Sequence, residues 1–119
     1  MKIHLRQKSG ITFLDINGRL VHGEGTTTLR DQVRDLISKG QKMLLLNLQD
    51  VPYIDSSGLG ELVSAFTAVR RQGGELRLLN LGKHVHGLLQ ITKLYTVFEV
   101  YEDEEAAFLS FGKASGSSG

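Results

Sequence analysis

A chain of 119 residues, 40% hydrophobic and 23% charged, has room for one domain with a real core and is neither disordered nor fibrous in composition. Fourteen basic and thirteen acidic residues give a net charge of +1, which offers no electrostatic reason for nucleic acid or an anionic membrane as partner. No cysteine is present, so disulfides, thiolate catalysis and cysteine-based zinc sites are excluded.

In chain order, Ile3 and Leu5 alternate with Lys2, His4 and Arg6, the period of a half-buried strand. Ser9-Gly10 reads as a turn, and Ile11, Phe13 or Leu14, and Ile16 predict a second strand that closes a hairpin. Asn17-Gly18 is a further turn signal, with a strand able to resume over Arg19-Leu20-Val21. Gly23-Glu24-Gly25 breaks the pattern. Thr26, Thr27 and Thr28 each offer a capping oxygen for a helix carrying Leu29, Val33, Leu36 and Ile37 on one face, closed by Gly40.

Met43 to Leu48 is nearly continuous apolar sequence, as in a strand covered on both faces. Gln49 to Asp55 forms the loop that follows. A second helix carries Leu59, Leu62, Val63, Phe66 and Val69 along one stripe, with Arg70 and Arg71 at its negative end and Gly73-Gly74 as its stop. Leu76, Leu78 and Leu81 then predict a strand, Val85 to Ile91 a short helix, and Val97 to Val100 a last strand. Asp103 should cap a final helix with Ala107, Phe108 and Phe111 on its apolar face. Strands alternating with helices argue for an α/β sheet with helices packed on it. Residues 113–119 are small and polar, with the composition of a disordered tail left by a cloning vector, and fall outside the expected domain of residues 1–112.

The polar N-terminus is unlike a secretory signal, and no apolar run approaches the ~20 residues of a membrane helix, so a cytoplasmic chain without membrane contact is expected. His84 and His86 stand two apart on a predicted helix and so face apart, with His4 and His22 distant in sequence. That pattern predicts no metal, and no cofactor fingerprint is present. No Gly-x-Ser-x-Gly supports an esterase, and the chain is expected not to be an enzyme.

The segment Asp55-Ser56-Ser57-Gly58-Leu59-Gly60 stands where the buried strand hands over to the second helix. The N–H groups of a first helical turn lack helical partners and point out of the C-terminal edge of a sheet, where α/β folds place their functional surface. Gly58 and Gly60 remove bulk, so a second molecule can approach the backbone, and the same absence permits tight helix–sheet packing. Ser56 and Ser57 place hydroxyls where an added phosphate would meet those N–H groups. Capping by Ser or Asp is the plainer reading of the same residues. Tyr53 and Ile54 fit core or interface equally.

This hexapeptide, preceded by Tyr53-Ile54 and by Asn47-Leu48-Gln49-Asp50-Val51, resembles the signature of the STAS domain, found in sulfate transporters and anti-sigma factor antagonists. The likeness extends over the element order of residues 1–112. It implies a mixed β-sheet of about five strands with about four helices packed on it. It also implies an anti-sigma factor antagonist in a partner-switching circuit that regulates transcription, in stress response or sporulation. Such an antagonist binds an anti-sigma factor that is itself a serine kinase. Phosphorylation of the serine after the aspartate, here Ser56, disables binding, and a serine phosphatase reverses it. The partner surface implied comprises Asp55, Ser56, Ser57, Gly58, Leu59 and Gly60. A scaffold component of a larger signalling assembly and a small anion- or nucleotide-binding module are the alternatives. Many members read Gly-Glu-Leu-Asp after the hairpin, whereas this chain has Gly18-Arg19-Leu20-Val21, with Arg19 for an acid and Val21 for an aspartate.

Overall fold

The computed structural model describes residues 1–117. Strands β1 (Lys2–Lys8) and β2 (Ile11–Asn17) form the predicted hairpin. Its two-residue turn has positive φ at both Ser9 and Gly10, the conformation whose twist matches paired strands. The chain continues through α1 (Glu24–Ser38), β3 (Met43–Asp50), α2 (Ser56–Arg71), β4 (Glu75–Leu79) and α3 (Lys83–Ile91). A single 3-10 turn (Leu94–Thr96), β5 (Val100–Tyr101) and α4 (Glu104–Ser117) complete it.

The five strands lie in the order β1-β2-β3-β4-β5, antiparallel between β1 and β2 and parallel thereafter. This is the mixed α/β sheet expected. Two cores flank it. On one face Leu29, Val33 and Leu36 of α1, Leu62, Ala65 and Val69 of α2, and Val85 and Leu89 of α3 pack with Leu14, Leu44, Leu46 and Leu48. On the other, Ala107 and Phe111 of α4 cover Ile11, Phe13, Leu45 and Leu79. The run of leucines in β3 follows directly. Leu44, Leu46 and Leu48 face three helices while Leu45 faces the fourth, and all are buried. Each such side chain contributes roughly 1.5–3 kcal/mol by leaving water.

Several boundaries differ from the sequence reading. Helix α1 starts at Glu24, before the three threonines. Gly23 is its cap at φ 105°, and Thr26 lies inside the first turn with its Oγ1 accepting the Gly23 N–H at 3.2 Å. Strand β3 runs on to Asp50, and α3 begins two residues early, at Lys83. The last strand is Val100–Tyr101 rather than Val97 to Val100, because Phe98 is drawn into the core, edge-on to Phe66 at 5.4 Å. Finally, α4 continues to Ser117 where the domain was expected to end at 112. Residues 118–119 of the expected tail lie outside the described residues. Asp103 caps α4 as predicted, its Oδ2 accepting the Ala106 N–H at 2.9 Å. Among the described residues, no helix is long and apolar enough to cross a membrane.

Candidate functional site

The site grows from two loops at the C-terminal edge of the parallel strands. One joins β2 to α1 and the other joins β3 to α2. An isolated parallel bridge between Leu20 and Ile54 ties them together. The Leu20 N–H donates to the Tyr53 carbonyl at 3.1 Å, and the Asp55 N–H donates to the Leu20 carbonyl at 3.3 Å. Leu20 and Ile54 are both buried, so the rung is anchored in the main core.

Asp55 is the cap of α2. It holds extended backbone, and its Oδ1 accepts the Gly58 N–H at 2.7 Å. Its Oδ2 accepts the His22 N–H from the neighbouring loop at 3.0 Å. These bonds, the one from His22 foremost, favour the ionised form and hold the carboxyl below its ordinary value of 3.8. One side chain therefore closes a helix start and fastens a second loop to it.

With the cap supplied by Asp55, Ser56 and Ser57 are exposed, and among the described residues neither hydroxyl is hydrogen-bonded to another protein group. The first turn of α2 contains no acidic residue. An anion placed on Ser56 would meet the positive end of a sixteen-residue helix, with Asp55 the only carboxylate adjoining it in sequence.

The two glycines divide their labour. A β-carbon on Gly58 would lie 2.0 Å from the Leu20 carbonyl oxygen and 2.8 Å from Ile54 Cγ1, so this glycine lets α2 press against the β2–α1 loop. Its missing bulk is used inside the protein. Gly60 is exposed, and a β-carbon there would meet nothing within 4 Å. Leu59 is half-buried against the core.

Tyr53 and Ile54 part company, with Ile54 buried and Tyr53 39% exposed. The Tyr53 ring stacks on His84 at 4.6 Å, and the Arg19 guanidinium lies 5.0 Å from its centroid. His84 is pinned in turn by its Nε2, 3.0 Å from the Ile54 carbonyl oxygen. The site is thus flanked by an aromatic plate with a cationic edge, built from three separate segments of the chain.

Sequence reasoning missed two residues here. Glu61 falls on the buried side of α2 and takes both Nε and Nη2 of Arg30 on one oxygen, at 3.1 and 2.8 Å, clamping α1 to α2. Its place on the stripe of Gly58, Leu62, Ala65 and Val69 was the available signal. His84 was weighed only as a metal ligand, and no local pattern marks it as a support for Tyr53.

The comparisons with known proteins agree with this architecture. The sequence matches the STAS domain over residues 2–107. The anti-sigma F factor antagonist of Paenibacillus polymyxa is 26% identical over 105 residues, covering 87% of this chain and 89% of its own. A Thermotoga maritima crystal structure, provisionally assigned as an anti-sigma factor antagonist, matches with a TM-score of 0.85 at 25% identity, covering 91% of this chain and 92% of that one. The phosphorylated form of the Bacillus cell fate determinant SpoIIAA shares the fold, with a TM-score of 0.72 at 20% identity over 92% of this chain and 99% of its own. A helix start displayed on a mixed five-stranded sheet, and sequence likeness along nearly the whole chain, lead to one assignment: the protein belongs to the STAS domain family, among the anti-sigma factor antagonists.

Proposed function

We propose that this chain is a partner-switching regulator, not a catalyst. It binds an anti-sigma factor kinase while Ser56 is unmodified and lets it go once Ser56 is phosphorylated, and a phosphatase restores the first state. The observation that carries this reading is the exposure of Ser56 on a helix start whose capping duty Asp55 has already taken. That SpoIIAA, of the same fold, has been solved in phosphorylated and unphosphorylated forms supports it.

The physics of the switch is local. Phosphorylation adds about −1.5 to −2 charges near neutral pH. At an exposed site the helix end offsets this by roughly 0.3–1 kcal/mol, so the fold survives. Against a docked protein, beside the ionised Asp55, the same dianion has to be desolvated or repelled. The docked surface comprises Ser56, Ser57 and Gly60, the exposed part of Leu59 and the Tyr53 plate, with Asp55 and Gly58 setting the loop's shape. Arg19, where many members of the family carry an acid, selects a partner presenting a carboxylate at that rim.

The test measures binding of wild type, Ser56→Ala and Ser56→Asp to the anti-sigma kinase from the same organism. Ser56→Ala should bind like wild type, and Ser56→Asp should bind about 10²- to 10⁴-fold more weakly, a loss of roughly 2.7–5.5 kcal/mol. Equal binding by both variants overturns the proposal. Mass spectrometry of the protein taken from its native cells should place the phosphate on Ser56 and not Ser57.

A further inference from the structure

Away from Ser56, a cleft of about 550 Å³ lies between α3, the 3-10 turn and β5. That volume falls within the range of roughly 300–1,000 Å³ usual for small-molecule sites. A second depression, lined by Gln49, Asn80 and Gly82, shares Leu81 and Glu102 with it. The cleft therefore continues along the C-terminal ends of β3 and β4, the edge at which parallel sheets hold ligands.

Its walls have a definite chemistry. His86, Tyr95 and Phe98 supply aromatic surface from the α3 side and Glu102 a carboxylate, whereas the Tyr101 ring packs toward the α4 core on the other face of the sheet. The His86 and Tyr95 rings meet edge to face at 5.5 Å, which sets the position of the Tyr95 ring. Glu99 is engaged by Arg77 Nε at 2.6 Å, although its side chain is still 60% exposed. Glu102 is exposed and forms no ion pair among the described residues. The Tyr95 phenol is shifted upward, first by burial and then by the charge of Glu102.

An aromatic wall and a carboxylate without a cation favour the same guest. Ring faces carry the negative end of a quadrupole, and carboxylates repel phosphates and other anions. A metal ion is poorly served, because among the described residues no three side chains of ligating type come together. We propose that this cleft binds a small organic cation, an alkylammonium or guanidinium group, held among His86, Tyr95 and the Glu102 carboxylate. The site does not depend on the Ser56 switch, and either can fail without the other.

The test is an amide NMR titration of the whole chain with choline, with its neutral isostere 3,3-dimethylbutan-1-ol, and with a blocked Gly-Arg-Gly peptide. Choline should give saturable shifts at His86, Tyr95, Tyr101 and Glu102, and the neutral isostere should bind about 2- to 30-fold more weakly. Glu102→Gln should weaken choline about fourfold, and Tyr95→Leu by a similar or larger factor, with the melting temperature of each variant checking its fold. Choline bound more tightly than the peptide identifies a diffusible cation. The reverse order keeps the cation site and assigns its guest to an arginine side chain of a protein. Absence of saturable shifts up to ~50 mM cation, equal binding of the isostere, or unchanged affinity in Glu102→Gln overturns the proposal.

Discussion

Two of the helices that begin at the C-terminal edge of the sheet, α1 and α2, start in opposite ways. Helix α1 begins on Gly23 with no side-chain cap and carries Glu24 in its first turn, whose carboxylate takes the N-terminal ammonium at 3.3 Å. Its next glycine, Gly25, is buried where a β-carbon would come 2.7 Å from the Arg19 carbonyl oxygen. Helix α2 begins on a carboxylate cap, has no acid in its first turn, and turns two serines outward. One start is committed to packing and to its own counter-charge. The other has its backbone needs met by Asp55 and keeps its hydroxyls and positive pole for something else. The contrast shows that the residue taking the cap decides what stays exposed beside it: with Asp55 bonded to the Gly58 N–H, both serine hydroxyls remain at the surface.

The sharpest way to break this division is Gly58→Ala. Its new methyl would overlap backbone at Leu20, which cannot swing aside as a side chain can. A loss of about 3 kcal/mol or more in urea unfolding is expected, with Leu20 and Ile54 amides losing protection from exchange. A loss below about 0.5 kcal/mol would mean that the two loops are not pressed together as described. Next in size is Arg30→Ala. It leaves the Glu61 carboxylate, only 9% exposed, without its cation. Because Arg30 itself is 43% exposed, the cost should lie between that of surface and buried pairs, about 1–2 kcal/mol.

Acid tests Asp55. Its folded carboxyl titrates below 3.8, so the stability it contributes is fully present above that value and is lost as pH falls through its lower, folded one. Carboxyl NMR should place its midpoint below those of exposed aspartates, and exchange at the His22 and Gly58 amides should quicken together on acidification. Independent quickening of the two would separate the loops. The smallest expected effect is the counterpart of the largest. Gly60→Ala meets nothing within 4 Å in a helix interior and should stabilise by about 0.5–1 kcal/mol. A loss of partner binding in that variant, with the fold intact, would place Gly60 at the contact surface.

Much of this was legible before any coordinates. The leucine run of β3, the hairpin turn at Ser9-Gly10 and the stop at Gly40 rest on local rules of period and φ, and the fold obeys them. Ser56 could be located because its surroundings are contiguous in sequence. The Leu20–Ile54 rung could not, since a lone bridge between residues 34 apart leaves no period to read. Which segment Gly58 packs against could not be read for the same reason, because what fills the space beside it comes from another loop. The pairing of Glu61 with Arg30 could not be read either, because the two stand on different helices. β5 was misplaced because its length is two residues and Phe98, next to it, answers to the core.

The rung between Leu20 and Ile54 has a consequence for how such a protein diversifies. It joins a loop that exposes Arg19 and His22 to the helix start on which Ser56 is proposed to be phosphorylated. On the proposed function, substitutions on the first loop would alter which surface is recognised while the Ser56 hydroxyl on the second stays in place. Duplicate copies of the domain could in this way serve separate circuits in one cell without cross-talk, each keeping the same lock and changing only the wards beside it.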